Sequence, residues 1–285
     1  MKLFYRKSGQ GQPLIVLHGL FGQSDNWATL GRQFAEQGFE VYLVDLRNHG
    51  LSPHSDVWDY KVMSDDILEL INDNNLKHVI LMGHSMGGKV AMQFAIQHPE
   101  MHDKLIVVDI APKYYPPHNL DVLNALNAVD FSMVKSRKEV ESILSETLTD
   151  FGTKQFLLKN IYWKENSELD WRFNLKVITS QIENVGEAMP VGKRTEHGIR
   201  SLSENSQHPT PTYQLETTSD TPTLFIRGEK SNYILDEDLK MIHDLFPNSH
   251  LETIADAPHW VHAEKPKEFF ECVIGFIKSQ SSFPK

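Results

Sequence analysis

The sequence predicts an α/β fold, a mostly parallel, doubly wound sheet with a helical lid insertion, and three observations carry that expectation. Short apolar runs at residues 14–17, 41–44, 79–82 and 105–108 alternate with segments whose apolar positions recur at helical spacing. The alternation stops at residue 113, and only helical patterns follow as far as about 184. The sheet then resumes at Thr223. With 285 residues and 40% hydrophobic content, the chain can build one large domain that carries an insertion. The expected division is a core of residues 1–112 and 221–285, with the helical lid and a long surface loop in 113–220.

Each element has its own signal. The run at 14–17 reads as a buried strand and ends in the glycine-bounded loop His18-Gly19-Leu20-Phe21-Gly22. Trp27, Leu30 and Phe34 mark a helix over about 24–37, closed by Gly38. The strand at 41–44 leads into the polar stretch 45–53, and Met63, Ile67, Leu70 and Ile71 line one face of a helix over about 61–74. A strand from Val79 and a helix through Val90, Phe94 and Ala95 follow, and then the strand at 105–108. In the insertion, residues 113–184 show no strand-like run, whereas Leu120, Leu123 and Leu126, then Val140, Ile143 and Leu144, are spaced for helices. Residues 191–220 are polar and read as a surface loop. The closing elements are a strand at 223–227, a helix over about 236–245, a strand at 250–254 and a helix over 266–278.

Composition narrows the function classes. A net charge of -10 without a Lys/Arg cluster argues against nucleic acid and anionic membrane surfaces. No apolar run approaches the ~18 residues of a membrane span, and residues 1–9 lack the apolar core of a secretory signal. One cysteine, Cys272, suits a reducing compartment, so a cytoplasmic location is expected, with the thiol packed as a small apolar residue on the last helix. No metal or cofactor is expected.

The stretch Gly83-His84-Ser85-Met86-Gly87-Gly88, between a strand and a helix, has the form of a nucleophile elbow, G-x-S-x-G. Such a serine needs strained backbone to stand clear of the sheet, and glycines on either side let strand and helix pass close by. Ser85 also needs a base within hydrogen-bond reach and a carboxylate to orient that base. The chain holds 14 histidines, but only His250, His259 and His262 lie beyond residue 245. His250 begins a strand and reads as structural, and His262 as a solvated or supporting residue. His259, in the loop past a strand's carboxyl end, is the expected base. His84 is expected to point away from the nucleophile's side.

For the acid, Asp109 stands at the carboxyl end of the strand after the elbow unit, with Asp236 and Glu229 as alternatives. The usual acid position in the loop after the penultimate strand is filled by Ser231, which is expected to hydrogen-bond the His259–Asp109 pair. The alternative reading of Asp109 is a buried ion pair, and Asp45 reads as an acceptor for Arg47 or local N–H groups. The oxyanion hole is expected from the N–H of Met86 and that of Leu20, with Phe21 the next candidate.

These motifs, together with Val108-Asp109-Ile110-Ala111-Pro112, His259-Trp260-Val261-His262-Ala263-Glu264-Lys265-Pro266, Phe156-Leu157-Leu158-Lys159-Asn160 and Trp171-Arg172-Phe173-Asn174-Leu175, resemble the YbfF-type bacterial esterases of the α/β-hydrolase superfamily. The likeness covers nearly the whole chain. The resemblance implies a cytoplasmic serine esterase with a preference for short to medium acyl chains and action on acyl-CoA thioesters. It also implies an acid after the elbow unit, in agreement with Asp109. The stretch 191–220 is longer than the family pattern at that place. Carbon–carbon hydrolases, lyases and slow-hydrolase ligand receptors use the same fold and form the alternative readings.

Overall fold

The computed structural model describes residues 1–116, 120–189 and 218–279. Strands β1 (Tyr5–Ser8) and β2 (Gln12–Leu17) are followed by a single 3₁₀ turn and helix α1 (Ala28–Glu36). Next come β3 (Phe39–Val44), α2 (Tyr60–Asp73), β4 (Val79–His84), α3 (Met86–Gln97) and β5 (His102–Val108). The chain then leaves the sheet for α4 (Leu120–Asn127), α5 (Arg137–Ser145), α6 (Phe151–Leu158), the hairpin β6 (Ile161–Trp163) and β7 (Leu169–Trp171), α7 (Leu175–Ser180) and α8 (Glu183–Gly186). It returns with β8 (Thr223–Gly228), α9 (Leu239–Leu245), β9 (Ser249–Ile254), α10 (Val261–Glu264) and α11 (Pro266–Lys278).

The main sheet has seven strands in the order β1-β3-β2-β4-β5-β8-β9. All neighbours are parallel except the edge pair, in which β1 runs antiparallel to β3. Because successive side chains alternate between faces, each strand feeds two cores. Ile15, Leu17, Leu81, Val107 and Phe225 face α2, α3 and the insertion. Leu14, Val16, Ile80, Met82, Ile106 and Ile226 face Leu30 and Phe34 of α1 and Phe269 and Val273 of α11. Burial on both faces is why these strands read as unbroken apolar runs, and each fully buried aliphatic side chain contributes about 1.5–3 kcal/mol. The parallel strands all end on one edge of the sheet, where their loops meet.

One expectation is corrected, and one strand was not anticipated. Strand β1 gave no sequence signal, since Arg6 and Lys7 are exposed and charged on a sheet edge, where such residues discourage further pairing. The stretch 113–184 does contain strands, the short antiparallel pair β6 and β7. Three residues per strand are too few to display a period of two. The hairpin is held instead by aromatic contacts, with Trp171 stacked on Phe173 at 5.3 Å and edge-on to Phe131. The surface loop expected at 191–220 falls, as far as 217, outside the described residues. Among the described residues no helix is long and apolar enough to cross a membrane.

Candidate active site

Ser85 caps the N-terminus of α3 with φ 52° and ψ -118°, in the left-handed half of backbone space that non-glycine residues avoid. Its N–H donates to the Val108 carbonyl at 3.0 Å, which anchors the strained residue to β5. The turn needs small neighbours. A Cβ on Gly83 would lie 2.1 Å from the Gly87 carbonyl oxygen, and one on Gly87 would lie 2.5 Å from that of His18. Asp109 and Phe21, at the ends of two other strands, share the positive φ, at 51° and 59°. Strain of this kind costs about 1–3 kcal/mol per residue and persists only where surrounding structure over-determines it.

The Ser85 Oγ stands 3.1 Å from His259 Nε2, and His259 Nδ1 stands 2.7 Å from Asp109 Oδ2. Asp109 is fully buried and takes two further hydrogen bonds, from the Gly228 N–H to Oδ1 at 3.0 Å and from the Ser231 hydroxyl to Oδ2. Four strand ends therefore converge on one line of hydrogen bonds from Ser85 through His259 to Asp109. The alternative acids lie elsewhere. Asp236 is exposed and pairs with Arg227 at 2.6 Å, and Glu229 accepts the Asp256 N–H at 2.8 Å.

Leu20 and Met86 border a cavity of about 40 Å³ beside Ser85, walled further by Tyr60, Ile110, Tyr115, Ile182, Val185 and Tyr233. Its lining is mostly apolar and holds no charged side chain. The tyrosine hydroxyls are already committed, that of Tyr60 to the Val185 carbonyl and that of Tyr115 to the Tyr233 carbonyl. Phe21 does not present its N–H to this space, because it donates to His49 Nε2 at 3.2 Å. The Leu20 N–H makes no such bond among the described residues. His18 pins the same loop from below, where its Nε2 accepts the Leu46 N–H at 3.0 Å. Burial lowers the pKa of His18 to about 4 and that of His49 to about 3, so both rings are neutral and able to accept.

Two side chains depart from expectation. His84 does not point away from the site, since its Nε2–H donates to the main-chain carbonyl of His259 at 3.0 Å. His262 is not solvated but buried, stacked on Trp27 with ring centroids 4.0 Å apart. Of the two kinds of partner expected for Asp45, it takes the local N–H groups, those of Ser24 and Leu51, while Arg47 pairs with Asp66 at 2.6 Å. His250 is exposed against Glu252 at 2.7 Å, and burial pushes the Cys272 thiol up to about 11.

Two contributors lie outside the residues singled out from the sequence. Tyr233 stacks on the imidazole of His259 at 3.8 Å and 15°. Lys89, one helical turn after Ser85, is fully buried and donates to the carbonyls of Lys113 and Glu187, which flank the described insertion. Burial lowers its pKa to about 7. Among the described residues no group of His, Cys, Asp and Glu is arranged to hold a metal ion.

A family model described as the alpha/beta hydrolase fold matches residues 12–266. The chain belongs to this family. The hydrolase is 34% identical to the sn-1-specific diacylglycerol lipase ABHD11 of Danio rerio over 277 residues, covering 95% of this chain and 80% of that protein. It is 32% identical to esterase YbfF of Escherichia coli, covering 93% of this chain and 92% of that one. Among solved structures, a marine microorganism esterase superposes with a TM-score of 0.86 at 38% identity, covering 97% of this chain and 99% of that one. These three relatives are a lipase and two esterases, and the resemblance read from the motifs holds.

Proposed function

We propose that the protein is a serine esterase that hydrolyses short- to medium-chain acyl esters, and acyl-CoA thioesters, through an acyl-enzyme on Ser85. The observation that carries this reading is the unbroken line from Ser85 Oγ to His259 to buried Asp109, at 3.1 and 2.7 Å, beside an apolar cavity. The hydroxyl of Ser85 donates to His259 Nε2. As Oγ attacks the acyl carbonyl carbon, its proton passes to Nε2, and Asp109 stabilises the imidazolium and fixes the ring's tautomer. The N–H groups of Met86 and Leu20 receive the oxyanion, with the N-terminus of α3 adding a favourable dipole. The tetrahedral species collapses, the C–O or C–S bond breaks, and the leaving group takes the Nε2 proton. Water then enters, gives a proton to Nε2, attacks the acyl carbonyl, and releases the acid with Ser85 restored.

In this reading the helical part of the 113–220 insertion is a lid on a core of 1–112 and 221–285, a reading supported by Ile182 and Val185, which wall the cavity from the insertion. Ser231 supports Asp109 through its hydroxyl. The single cysteine suits a cytoplasmic setting. The test is a rate profile over p-nitrophenyl esters of increasing chain length and over acyl-CoA thioesters. Wild type should turn over shorter esters fastest, and Ser85→Ala should lose several orders of magnitude. Turnover by Ser85→Ala near the wild-type rate overturns the reading.

A further inference from the structure

We infer that His84 is a positioning residue that holds the general base in register with the nucleophile, by donating its Nε2–H to the main-chain carbonyl of His259. This inference rests on the proposed roles of Ser85 and His259. The two histidines are 175 residues apart in sequence, and among the described residues this 3.0 Å bond is the one hydrogen bond made to the His259 main chain. The neighbouring residues of that loop are tied down elsewhere, Asp256 to Glu229 and Ala257 to Lys230. Asp109 holds the imidazole through Nδ1, and His84 holds the main chain that carries it, so the distance from Ser85 Oγ to His259 Nε2 depends on His84 for the polar restraint on the backbone.

The ring of His84 is itself fixed on three sides. A Cβ on Gly19 would lie 2.9 Å from His84 Nδ1, so the loop that carries Leu20 closes directly onto the imidazole. His262 meets it edge-on at 4.7 Å, and His262 is held in turn by its stack on Trp27. The imidazole of His259 lies tilted over it at 4.7 Å, with Tyr233 on the same imidazole at 3.8 Å. One side chain thus touches both the loop bearing an oxyanion donor and the loop bearing the base. The acceptor is a carbonyl, so Nε2 must carry the proton. Burial keeps the ring neutral, well below the usual histidine range, which leaves Nδ1 bare towards Gly19.

The test compares His84→Phe, which keeps the ring without a donor, with His84→Gln, whose amide nitrogen reaches about as far as Nε2, on p-nitrophenyl butyrate. A displacement of about 1 Å between reacting groups costs up to about a hundredfold in rate. His84→Phe should lose ten- to a hundredfold in kcat with KM within about twofold of wild type, and His84→Gln should restore kcat to within about threefold. Equal loss in both variants assigns the residue to packing and overturns the inference, as does a wild-type kcat in His84→Phe. Should His84→Phe not fold, His84→Asn serves, since its amide falls one methylene short; activity in His84→Asn equal to that in His84→Gln overturns the inference. Ser85→Ala, measured alongside, separates the two claims: if it is inactive while His84→Phe is unimpaired, the esterase reading stands and only the role of His84 falls.

Discussion

Asp109→Asn is the substitution whose outcome the geometry specifies most closely. The carboxylate has no exposure and three hydrogen-bond donors around it: the Gly228 N–H on Oδ1, and Ser231 and His259 on Oδ2. Asparagine has the same shape, so the fold should survive. Its amide oxygen must face the Gly228 N–H, because the alternative sets two N–H donors against each other. The amide nitrogen then faces His259 Nδ1 and donates to it. That forces the imidazole proton onto Nε2, where the ring can no longer accept from Ser85. The loss should be about four orders of magnitude in kcat, about 5 kcal/mol of transition-state stabilisation, as in other Ser-His-acid hydrolases. Asp236→Asn removes only an exposed ion pair with Arg227 and should leave kcat within twofold or so. Initial rates on p-nitrophenyl butyrate, with melting temperatures as a control for folding, measure both. An Asp109→Asn enzyme within tenfold of wild type, or a larger loss in Asp236→Asn, refutes the assignment of the acid.

Three further outcomes follow. Ser231→Ala removes a charge-assisted bond to buried Asp109, of a kind that contributes about 1.5–3 kcal/mol, and should lower kcat about tenfold or more; unchanged rates would mean that the hydroxyl is dispensable. Gly83→Ala should cost about 3 kcal/mol and abolish activity, since its Cβ would meet the Gly87 carbonyl at 2.1 Å, whereas Gly275→Ala, with open space around its Cβ in α11, should raise the melting temperature by about 2 °C. Burial depresses the pKa of His18 and His102 to about 4 and that of His49 and His262 to about 3, so below pH ~6.5 the unfolded chain binds protons that the folded one refuses. Stability is then full above that pH and falls as pH drops from about 6.5 towards the folded values, by at most about 1.4 kcal/mol per histidine per pH unit. A melting temperature that stays level between pH 7 and pH 5 would show these rings to be exposed or charged in the folded protein.

The sheet was legible because burial on both faces leaves unmistakable apolar runs, and the convergence of Ser85, Asp109 and His259 followed from placing each at a strand's carboxyl end. What escaped was structure held by contacts between distant residues. The β6 and β7 hairpin depends on Trp171 meeting Phe131 and Phe173, which no periodicity encodes. Strand β1 is an edge whose exposed face has no pattern to keep. His49, 28 residues away in sequence, takes the Phe21 N–H, and the partner that orients His84 lies at the far end of the chain. Lys89 does carry a signal, as the one charged residue on α3, a single turn beyond the nucleophile.

The central claim is that Ser85 is the nucleophile, and mass spectrometry of the protein treated with diethyl p-nitrophenyl phosphate tests it most directly. One diethylphosphoryl group per chain, on the peptide carrying Ser85, with labelling in step with loss of esterase activity and absent in Ser85→Ala, is the result predicted. Labelling at another residue, or full inactivation with Ser85 unmodified, would contradict it.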